Sequence, residues 1–493
     1  MNVLLISYAC YLPPFFWTRA GCGATMDAIF FANGMPMMQP NILLMISHDS
    51  GRKFQNYGYR VATPHINALA QRGLQFDHCY CPSPQCSPSR GGILTGLYPH
   101  NNGLMGLAHL GFCISEGITT LPKELQKNGY YTALIGLSHE TINNAPPIAE
   151  RVFSSTTALG YDDYIPVPGE RAPQVADRVI DFLVQHQHDA RPFYLNAGFF
   201  ETHRDFDEYQ SVADAPADVE VFDFLPDVDA VREDIALFNG ALKVLDSAVG
   251  RICAALDETG LCDNTIVVFT TDHGVAFPLA KGTLKTAGLE TALIIVLPGK
   301  AAVTGRRQAL LCNIDLMPTL LELIGAECPA GLDGKSFASL LQSQRDEGRA
   351  SFFTELTWHD KYHPMRGVRT SRYSYVKNFA DGPRVYIPVD AHLSPSGQAV
   401  RERLYVPNVP EELYDLHQDP LERNNLIDHP DYQAIAARLR ESVANWMQDS
   451  ADPLLNGPVD GVESRRWAEE IAAGRAYPGR EAWGRLHSDD STG

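Results

Sequence analysis

Residues 41–51 read NILLMISHDSG, a short apolar run that ends in the polar pair His48 and Asp49. Comparable apolar runs recur along the chain at residues 131–135, 193–197, 265–269 and 292–297. Segments with helical periodicity, such as residues 234–256 and 315–324, alternate with these runs. Runs of this length separated by helices are typical of buried strands. The alternation therefore predicts an α/β fold with a largely parallel sheet between layers of helices.

Two pairs of acidic and imidazole side chains follow predicted strands. His48 and Asp49 come after the first strand, and Asp272 and His273 come after the fourth. Open α/β sheets carry their functional sites at the carboxyl ends of the strands. We therefore expect these four side chains at one edge of the sheet.

A further stretch, residues 86–96, reads CSPSRGGILTG. Pro88 suits the first turn of a helix, so Cys86 would lie where free backbone N–H groups favour negative charge. Arg90, one turn further on, can offer a forked donor to a tetrahedral oxyanion. The pattern indicates a nucleophile at an anion-binding site, and the alternative is an ordinary Ser/Pro loop.

The composition limits the classes of function. The chain has 493 residues, of which 45% are hydrophobic and 20% charged, as in ordinary globular proteins. Its net charge of −19 argues against nonspecific binding to nucleic acid or to an anionic membrane. The sequence also contains no apolar run long enough to cross a bilayer.

Residues 1–39 contain apolar runs but lack a basic segment and a continuous apolar core, so they fit a secretory signal poorly. We predict an N-terminal extension there and, without an export signal, a cytoplasmic protein. The ten cysteines show no zinc-ribbon spacing, and buried free thiols are favoured over disulfides.

The 86–90 stretch has the form Cys-x-Pro-x-Arg, and with it the chain resembles the type I sulfatases of the alkaline phosphatase superfamily. Further blocks similar to that family stand in family order: NILLMISHDSG (41–51), ATPHINALA (62–70), TGLYP (95–99), TDHG (271–274), DLMPTL (315–320), DGKS (333–336) and ELYDLHQDPLERNNL (412–426). Within the family, residues 362–366 (YHPMR) and the pair Phe277-Pro278 are most similar to the N-sulfoglucosamine sulfohydrolases, or sulfamidases.

The resemblance implies a division of the chain. Residues 40–345 would form the sulfatase catalytic domain, an alkaline-phosphatase-like large mixed sheet flanked by helices. Residues 346–455 would form a smaller C-terminal α+β domain that completes the substrate pocket, with strands at 373–378 and 412–416 and a closing helix at 432–447. A tail would follow over residues 456–493.

The resemblance also implies the chemistry. A formylglycine-generating enzyme would oxidise Cys86 to formylglycine (3-oxoalanine), whose hydrated aldehyde attacks sulfur and later expels sulfate. One divalent metal would be held by His48, Asp49, Asp272, His273 and residue 86 itself. Ca²⁺ is the family default. His48 stands where many sulfatases have aspartate, and a second imidazole shifts the preference toward Mn²⁺ or Zn²⁺, with Mg²⁺ a further alternative. His48 is a ligand, a group that orients Asp49, or a residue packed under the site.

The remaining roles follow from the same resemblance. Arg90 would stabilise the nucleophile and the sulfate, His139 and Lys281 would hold the sulfate, and His203 would act at the leaving group. The lysine that is common before the family histidine is missing here, because residues 136–139 read GLSH. Lys281 is the preferred sulfate ligand, and Lys285 is either its substitute or a solvated loop charge.

The sequence thus predicts a sulfatase that hydrolyses a sulfate ester or a sulfamate of a small molecule or sugar, with N-sulfated glucosamine as the hypothesis suggested by residues 362–366. The alternatives are a phosphonate monoester or phosphodiester hydrolase of the same superfamily and a catalytically inactive binder of sulfated sugars. Trp358, His359, His363 and Arg366 form either a wall of the sugar pocket or a seam between domains. An oligomer is compatible with the sequence.

Overall fold

The computed structural model describes residues 39–141, 159–299, 303–343, 346–380, 388–404 and 407–461, together with Glu469 and Ala473. The predicted N-terminal extension over residues 1–39 lies outside the described residues except for Gln39. Most of the predicted 456–493 tail also lies outside them. The boundary expected between residues 345 and 346 stays a prediction.

Nine strands form one mixed sheet. Their bounds are β1 (Asn41–Ser47), β2 (Leu74–Tyr80), β3 (Tyr131–Gly136), β4 (Asp163–Ile165), β5 (Phe193–Gly198), β6 (Thr265–Thr271), β7 (Glu290–Thr291), β8 (Leu293–Val296) and β9 (Gly305–Cys312). The order is β4-β3-β5-β1-β6-β8-β2-β7, and β9 pairs with β2. Strands β4, β3, β5, β1 and β6 are parallel, whereas β8 runs antiparallel to both β6 and β2. The expected sheet is confirmed, with an antiparallel segment inside it.

Strand β1 shows why its sequence is continuously apolar. Leu43 and Met45 belong to the core on one face of the sheet, while Ile42, Leu44 and Ile46 belong to the core on the other. All seven residues of the strand are buried. A parallel strand covered by helices on both faces needs apolar side chains on both, so simple alternation of polar and apolar residues is lost.

Helices supply the other half of both cores. Their bounds are α1 (Pro64–Arg72), α2 (Cys86–Thr95), α3 (Pro99–Asn102), α4 (Leu121–Lys127), α5 (Ala172–His186), α6 (Asp229–Glu258), α7 (Thr286–Leu289), α8 (Leu316–Leu323), α9 (Ala338–Gln342), α10 (Val389–Leu393), α11 (Pro395–Val400) and α12 (Gln433–Asp449). Helices α1, α5 and α6 pack on one face of the sheet, and α2, α4, α8 and α9 pack on the other. Short 3-10 turns connect several of these elements.

A second sheet follows in the C-terminal part of the chain. It is antiparallel, in the order β10 (Ser351–Trp358), β11 (Tyr362–Thr370), β12 (Tyr373–Asn378) and β13 (Glu411–Asp415). Helix α12 packs against it through Leu439 and Val443. The expected architecture, a large mixed sheet with a smaller α+β unit, is therefore confirmed.

Two further expectations can be compared with the described residues. None of the helices in these ranges combines the length and the apolarity that a membrane span requires. The eight cysteines among the described residues are free thiols, and four of them are buried: Cys79, Cys81, Cys86 and Cys312. Free thiols are thus what the structure shows in this part of the chain.

Candidate active site

The two acid-imidazole pairs meet because their strands are neighbours. Strands β1 and β6 are parallel and in register, with Ser47 opposite Thr271. The next residues along each strand are therefore adjacent, and the Asp49 N–H donates a 2.9 Å hydrogen bond to Oδ1 of Asp272. Asp49 has a φ of +54°, in the left-handed region, so the chain turns sharply at this carboxylate. The sheet edge predicted from the sequence thus brings these side chains together.

Cys86 reaches the same point as the first residue of α2. Its Sγ lies 3.8 Å from Oδ1 of Asp49 and 3.4 Å from Nε2 of His273. Two side chains attach the helix to the end of β6: the Ser89 hydroxyl donates to the Asp272 carbonyl, and the Asn313 amide donates to the Ser89 hydroxyl at 2.8 Å. Burial raises the pKa of the Cys86 thiol, so an unmodified cysteine would be a poor nucleophile here.

These side chains form a compact set of metal donors. One atom each from His48, Asp49, Cys86 and Asp272 lies within 4.8 Å of all the others. His48 Nε2 is 3.3 Å from Oδ2 of Asp272, and neither ring nitrogen of His48 has a hydrogen-bond partner among the described residues. Buried imidazole nitrogens facing two buried carboxylates fit a cation, because it would satisfy the nitrogen and balance the charge.

The His273 ring is held with one nitrogen toward the same site. Its Nδ1 is 2.9 Å from the Gly274 carbonyl, so Nδ1 carries the proton and Nε2 faces the site. Nε2 is 2.8 Å from Oδ1 of Asp49. Hydrogen bonding of one ring nitrogen to a carbonyl is how metal-binding imidazoles are commonly held. His273 is therefore placed as a further donor beside the other four.

Arg90 lies under the carboxylates. Its Nε donates a 3.0 Å hydrogen bond to Oδ2 of Asp272, and its Nη2 contacts the Ser47 carbonyl at 3.4 Å. The side chain is fully buried. In this structure Arg90 therefore orients Asp272 and adds positive charge behind the site.

Lys281 is the lysine that the fold brings into the site. Its Nζ donates at 2.7 Å to Oδ2 of Asp49 and at 3.1 Å to Oδ2 of Asp390. Lys285 instead donates to the Glu422 carbonyl at 2.7 Å, so it does not replace Lys281. Burial would raise the pKa of Asp49, but Lys281 and the neighbouring imidazoles hold it well below its usual range.

Two histidines face this cluster from the loops that follow the parallel strands β5 and β3. The His203 ring stacks on His48 with centroids 4.6 Å apart, and its Nε2 lies 3.8 Å from Oδ2 of Asp390. The His139 ring meets His48 edge-on at 5.6 Å, and its Nε2 lies 3.4 Å from Nδ1 of His109. Burial lowers the pKa of His109 to about 4 and lowers that of His139 as well.

Sequence reasoning missed Asp390 and His109. Asp390 lies in α10, and His109 lies in the 3-10 turn Ala108–Leu110. Neither belongs to a recognisable motif, and both reach the site through the tertiary fold. No local signal in the sequence could have indicated them.

The four residues proposed for a sugar wall or a seam between domains are all buried. Arg366 is fully buried and pairs with Asp452, and Trp358 packs against Leu104 and Phe112. Trp358 therefore lies where the C-terminal unit meets the larger domain, whereas Arg366 is held by partners within the C-terminal unit. Of the two histidines, His359 has its Nδ1 3.2 Å from Oδ2 of Asp360, and burial lowers the pKa of His363 to about 4.

The mixed sheet, with carboxylates, imidazoles and a helix N-terminus at the carboxyl ends of its parallel strands, has the alkaline-phosphatase-like architecture that the resemblance implied. The family model described as Sulfatase matches residues 40–326. The chain belongs to the sulfatase family, the class of sulfuric ester hydrolases, as the resemblance implied. A second family model, N-sulphoglucosamine sulphohydrolase, C-terminal, matches residues 279–396.

A human relative agrees with this assignment, and two solved structures share the fold. The chain is 28% identical over 491 residues to human (Homo sapiens) N-sulphoglucosamine sulphohydrolase, covering 88% of this chain and 95% of that protein. The structure of BT4656 in complex with its substrate D-glucosamine-2-N,6-O-disulfate superposes with a TM-score of 0.65, at 19% identity, over 85% of this chain and 99% of the other. The phosphonate monoester hydrolase of Agrobacterium radiobacter also gives 0.65, at 19% identity, over 85% and 97%. At these identities the structures share the fold.

Proposed function

We propose that this sulfatase hydrolyses a sulfate ester or sulfamate of a small sulfated sugar, through formylglycine at position 86 and one divalent metal. The observation that carries the proposal is the position of Cys86. It opens helix α2 beside Asp49 and His273, where backbone N–H groups, metal donors and Lys281 converge on one point. An anionic sulfate would be neutralised there from several sides.

Formylglycine at position 86 would supply a hydrated aldehyde as the nucleophile toward sulfur. The chain's own residues prepare the place for it. The α2 N-terminus and Lys281 would bind the sulfate oxygens, and His139 would line the same pocket. Arg90 would keep Asp272 in position through its 3.0 Å hydrogen bond.

His203 suits the leaving-group side of the site. Its Nδ1 lies 2.6 Å from the Arg204 carbonyl and so carries a proton, which leaves Nε2 to take up or release the mobile proton. The ring is about a quarter exposed, in contrast to the buried His48 and His273. His203 can therefore meet a substrate group that enters from solvent and can protonate it as it leaves.

For the metal, His48, Asp49, Asp272, His273 and residue 86 would be the ligands, and the metal would polarise the nucleophile and neutralise sulfate charge. We propose Ca²⁺ as the family default. The two imidazoles make Mn²⁺ and Zn²⁺ the alternatives, with Mg²⁺ included in the comparison.

A sugar substrate is supported by two comparisons. The human relative is an N-sulphoglucosamine sulphohydrolase, and a structural neighbour binds D-glucosamine-2-N,6-O-disulfate. The family model for the C-terminal part of N-sulphoglucosamine sulphohydrolase matches residues 279–396, a range that includes both Lys281 and Asp390. We therefore propose an N-sulfated glucosamine residue as the first substrate to test.

The test begins with protein co-expressed with a formylglycine-generating enzyme, with conversion of Cys86 measured by mass spectrometry. Matched 4-nitrophenyl sulfate and phosphodiester substrates and N-sulfoglucosamine are then assayed after metal removal and addition of each ion. We expect sulfate release that depends on metal and is lost in Cys86→Ala. A faster phosphodiester reaction would instead support a phosphodiesterase, and inactivity with converted Cys86 would support a sugar-binding role.

A further inference from the structure

Asp390 occupies a defined place on the solvent side of the site. It lies in helix α10, and its Oδ1 accepts a 2.8 Å hydrogen bond from the Ala391 N–H. Its Oδ2 accepts from Lys281 at 3.1 Å and lies 3.8 Å from Nε2 of His203. The side chain is 16% exposed, whereas Asp49 and Asp272 are fully buried. Of these three carboxylates, Asp390 is the one an incoming substrate can touch.

Lys281 and His203, the two neighbours of Oδ2, indicate which atom of the substrate would lie next to Asp390. Under the proposed function, Lys281 binds the sulfate group, and His203 faces the atom that links sulfur to the rest of the substrate. Oδ2 of Asp390 lies between these two side chains. The carboxylate therefore faces the bridging atom itself, the position at which sulfate esters and sulfamates differ.

A carboxylate distinguishes those two classes by hydrogen bonding. The bridging nitrogen of a sulfamate carries a hydrogen that it can donate, whereas the bridging oxygen of a sulfate ester carries none. Opposite an ester oxygen, the carboxylate would meet only lone pairs. An ionised acceptor at this point therefore favours the sulfamate, because hydrogen bonds to charged groups are the stronger ones.

We propose that Asp390 is a specificity-determining residue that accepts a hydrogen bond from the bridging N–H of a sulfamate and thereby favours N–S over O–S hydrolysis. The inference rests on the proposed sulfatase function. In the overall reaction the N–S bond breaks, its electron pair stays on nitrogen, and nitrogen takes a proton from His203. Water supplies the oxygen of the new S–O bond, so that the products are an amine and hydrogen sulfate.

The test uses two substrates with the same ring, 4-nitrophenyl sulfate and N-sulfo-4-nitroaniline, which differ only in the bridging atom. In Asp390→Asn, Oδ1 of the amide can keep the hydrogen bond to Ala391, which places its NH₂ where Oδ2 stood. Activity on both substrates should fall, because Lys281 loses a partner. We expect kcat/KM for the sulfamate to fall about tenfold more than kcat/KM for the sulfate.

A matched variant separates recognition from positioning. Asp360 accepts a 2.8 Å hydrogen bond from the Val389 N–H and so holds the start of helix α10. Asp360→Ala removes this hydrogen bond and should therefore lower both reactions by the same factor. An equal loss on both substrates in Asp390→Asn would mean that Asp390 only positions Lys281, and would overturn the proposal.

A second measurement changes the substrate instead of the protein, so it does not depend on whether a variant folds. The N-methyl derivative of N-sulfo-4-nitroaniline has no bridging hydrogen, so the wild-type enzyme should prefer the N–H compound by about tenfold or more. Equal rates on the two compounds would overturn the proposal. Wild-type enzyme that cleaves the sulfate but not the sulfamate overturns the role of Asp390 and leaves the sulfatase function standing. Enzyme with converted Cys86 that cleaves neither of these compounds nor N-sulfoglucosamine overturns both.

Discussion

His48 would put a second imidazole among the proposed metal ligands, and its ring stacks on His203 and lies 3.3 Å from Oδ2 of Asp272. His48→Asp exchanges that nitrogen for a hard oxygen donor, so it should favour Ca²⁺ over Mn²⁺ and Zn²⁺. We expect the ratio of dissociation constants to shift about tenfold or more, measured by calorimetric titration of chelator-treated protein. His65→Asp, at an exposed histidine of α1, is the control. An unchanged ratio in His48→Asp would remove His48 from the ligand set.

Lys281 offers a second residue-scale prediction. Lys281→Met removes the cation that Asp49 and Asp390 share, so the sulfate loses a charged hydrogen bond. We expect kcat/KM to fall roughly 10- to 100-fold, mainly through a higher KM. Steady-state kinetics on 4-nitrophenyl sulfate measure this loss. Lys285→Met, at a lysine bonded to the Glu422 carbonyl, should retain wild-type KM; the reverse result would exchange the roles of the two lysines.

The site was predictable as far as its residues lie in local patterns. Asp49 and Asp272 could be paired because each follows an apolar strand run, and parallel strands bring their ends together. Asp390 could not be placed, because it lies 109 residues after Lys281 and meets it only in the folded chain. The role of Arg90 was predicted by resemblance, whereas its contact with Asp272 is visible only in the structure.

At the scale of elements, the sequence located segments better than their ends and directions. Helix α6 begins at Asp229, five residues before the expected start. The sequence pattern missed its first turn because only Val231 is buried there, which leaves no apolar periodicity to detect. The 292–297 run was expected within a largely parallel sheet, yet β8 is antiparallel to β6. Burial makes a strand apolar in either direction, so composition does not encode its orientation.

The attachment of α2 to the sheet gives an element-scale prediction. Asn313, just after β9, donates to the Ser89 hydroxyl, which in turn donates to the Asp272 carbonyl. Asn313→Ala removes this support and leaves buried polar groups unpaired. We expect the free energy of unfolding to fall by about 1–3 kcal/mol and kcat/KM to fall with it. Denaturant unfolding and kinetics, on protein with measured Cys86 conversion, test both.

The control for that experiment lies at the opposite end of the sheet. Asn128 donates to the Glu124 carbonyl at the end of α4, ahead of β3. Asn128→Ala should lose stability and keep kcat/KM. Should Asn313→Ala also keep kcat/KM, the Ser89 connection would be structural only.

At the scale of the whole molecule, the negative net charge opposes the binding of an anionic substrate. The chain carries a net charge of −19, yet its proposed substrate is anionic. Attraction must therefore be local. Arg90, Lys281 and the α2 N-terminus supply positive charge in a buried region where charges are weakly screened, and Asp49, Asp272 and Asp390 offset part of it. A metal would add to this local field. The arrangement favours substrates small enough to place their sulfate inside the pocket.

Global stability should depend on pH through Glu290, a buried residue of β7. Its carboxylate pairs with Nη2 of Arg52 at 2.8 Å and with Nζ of Lys53 at 3.0 Å. Burial alone would raise the pKa of Glu290, but Lys53 and Arg52 outweigh it and lower that pKa to about 2. The pKa of this carboxyl is about 4.3 in the unfolded chain and lower in the folded one, so its ionisation stabilises the fold fully above about pH 4.3. The fold loses this contribution as the pH falls toward 2.

Glu290→Gln should therefore cost about 3 kcal/mol of unfolding free energy near pH 7. The difference between wild type and variant should shrink steadily below pH 5, because the wild-type carboxylate becomes protonated. Urea unfolding followed by circular dichroism at a series of pH values measures that difference. Asp227→Asn, which breaks the exposed pair with Arg232, should show little effect at any pH. A difference for Glu290→Gln that stays constant down to pH 2 would show that packing, rather than charge, stabilises the fold at this position.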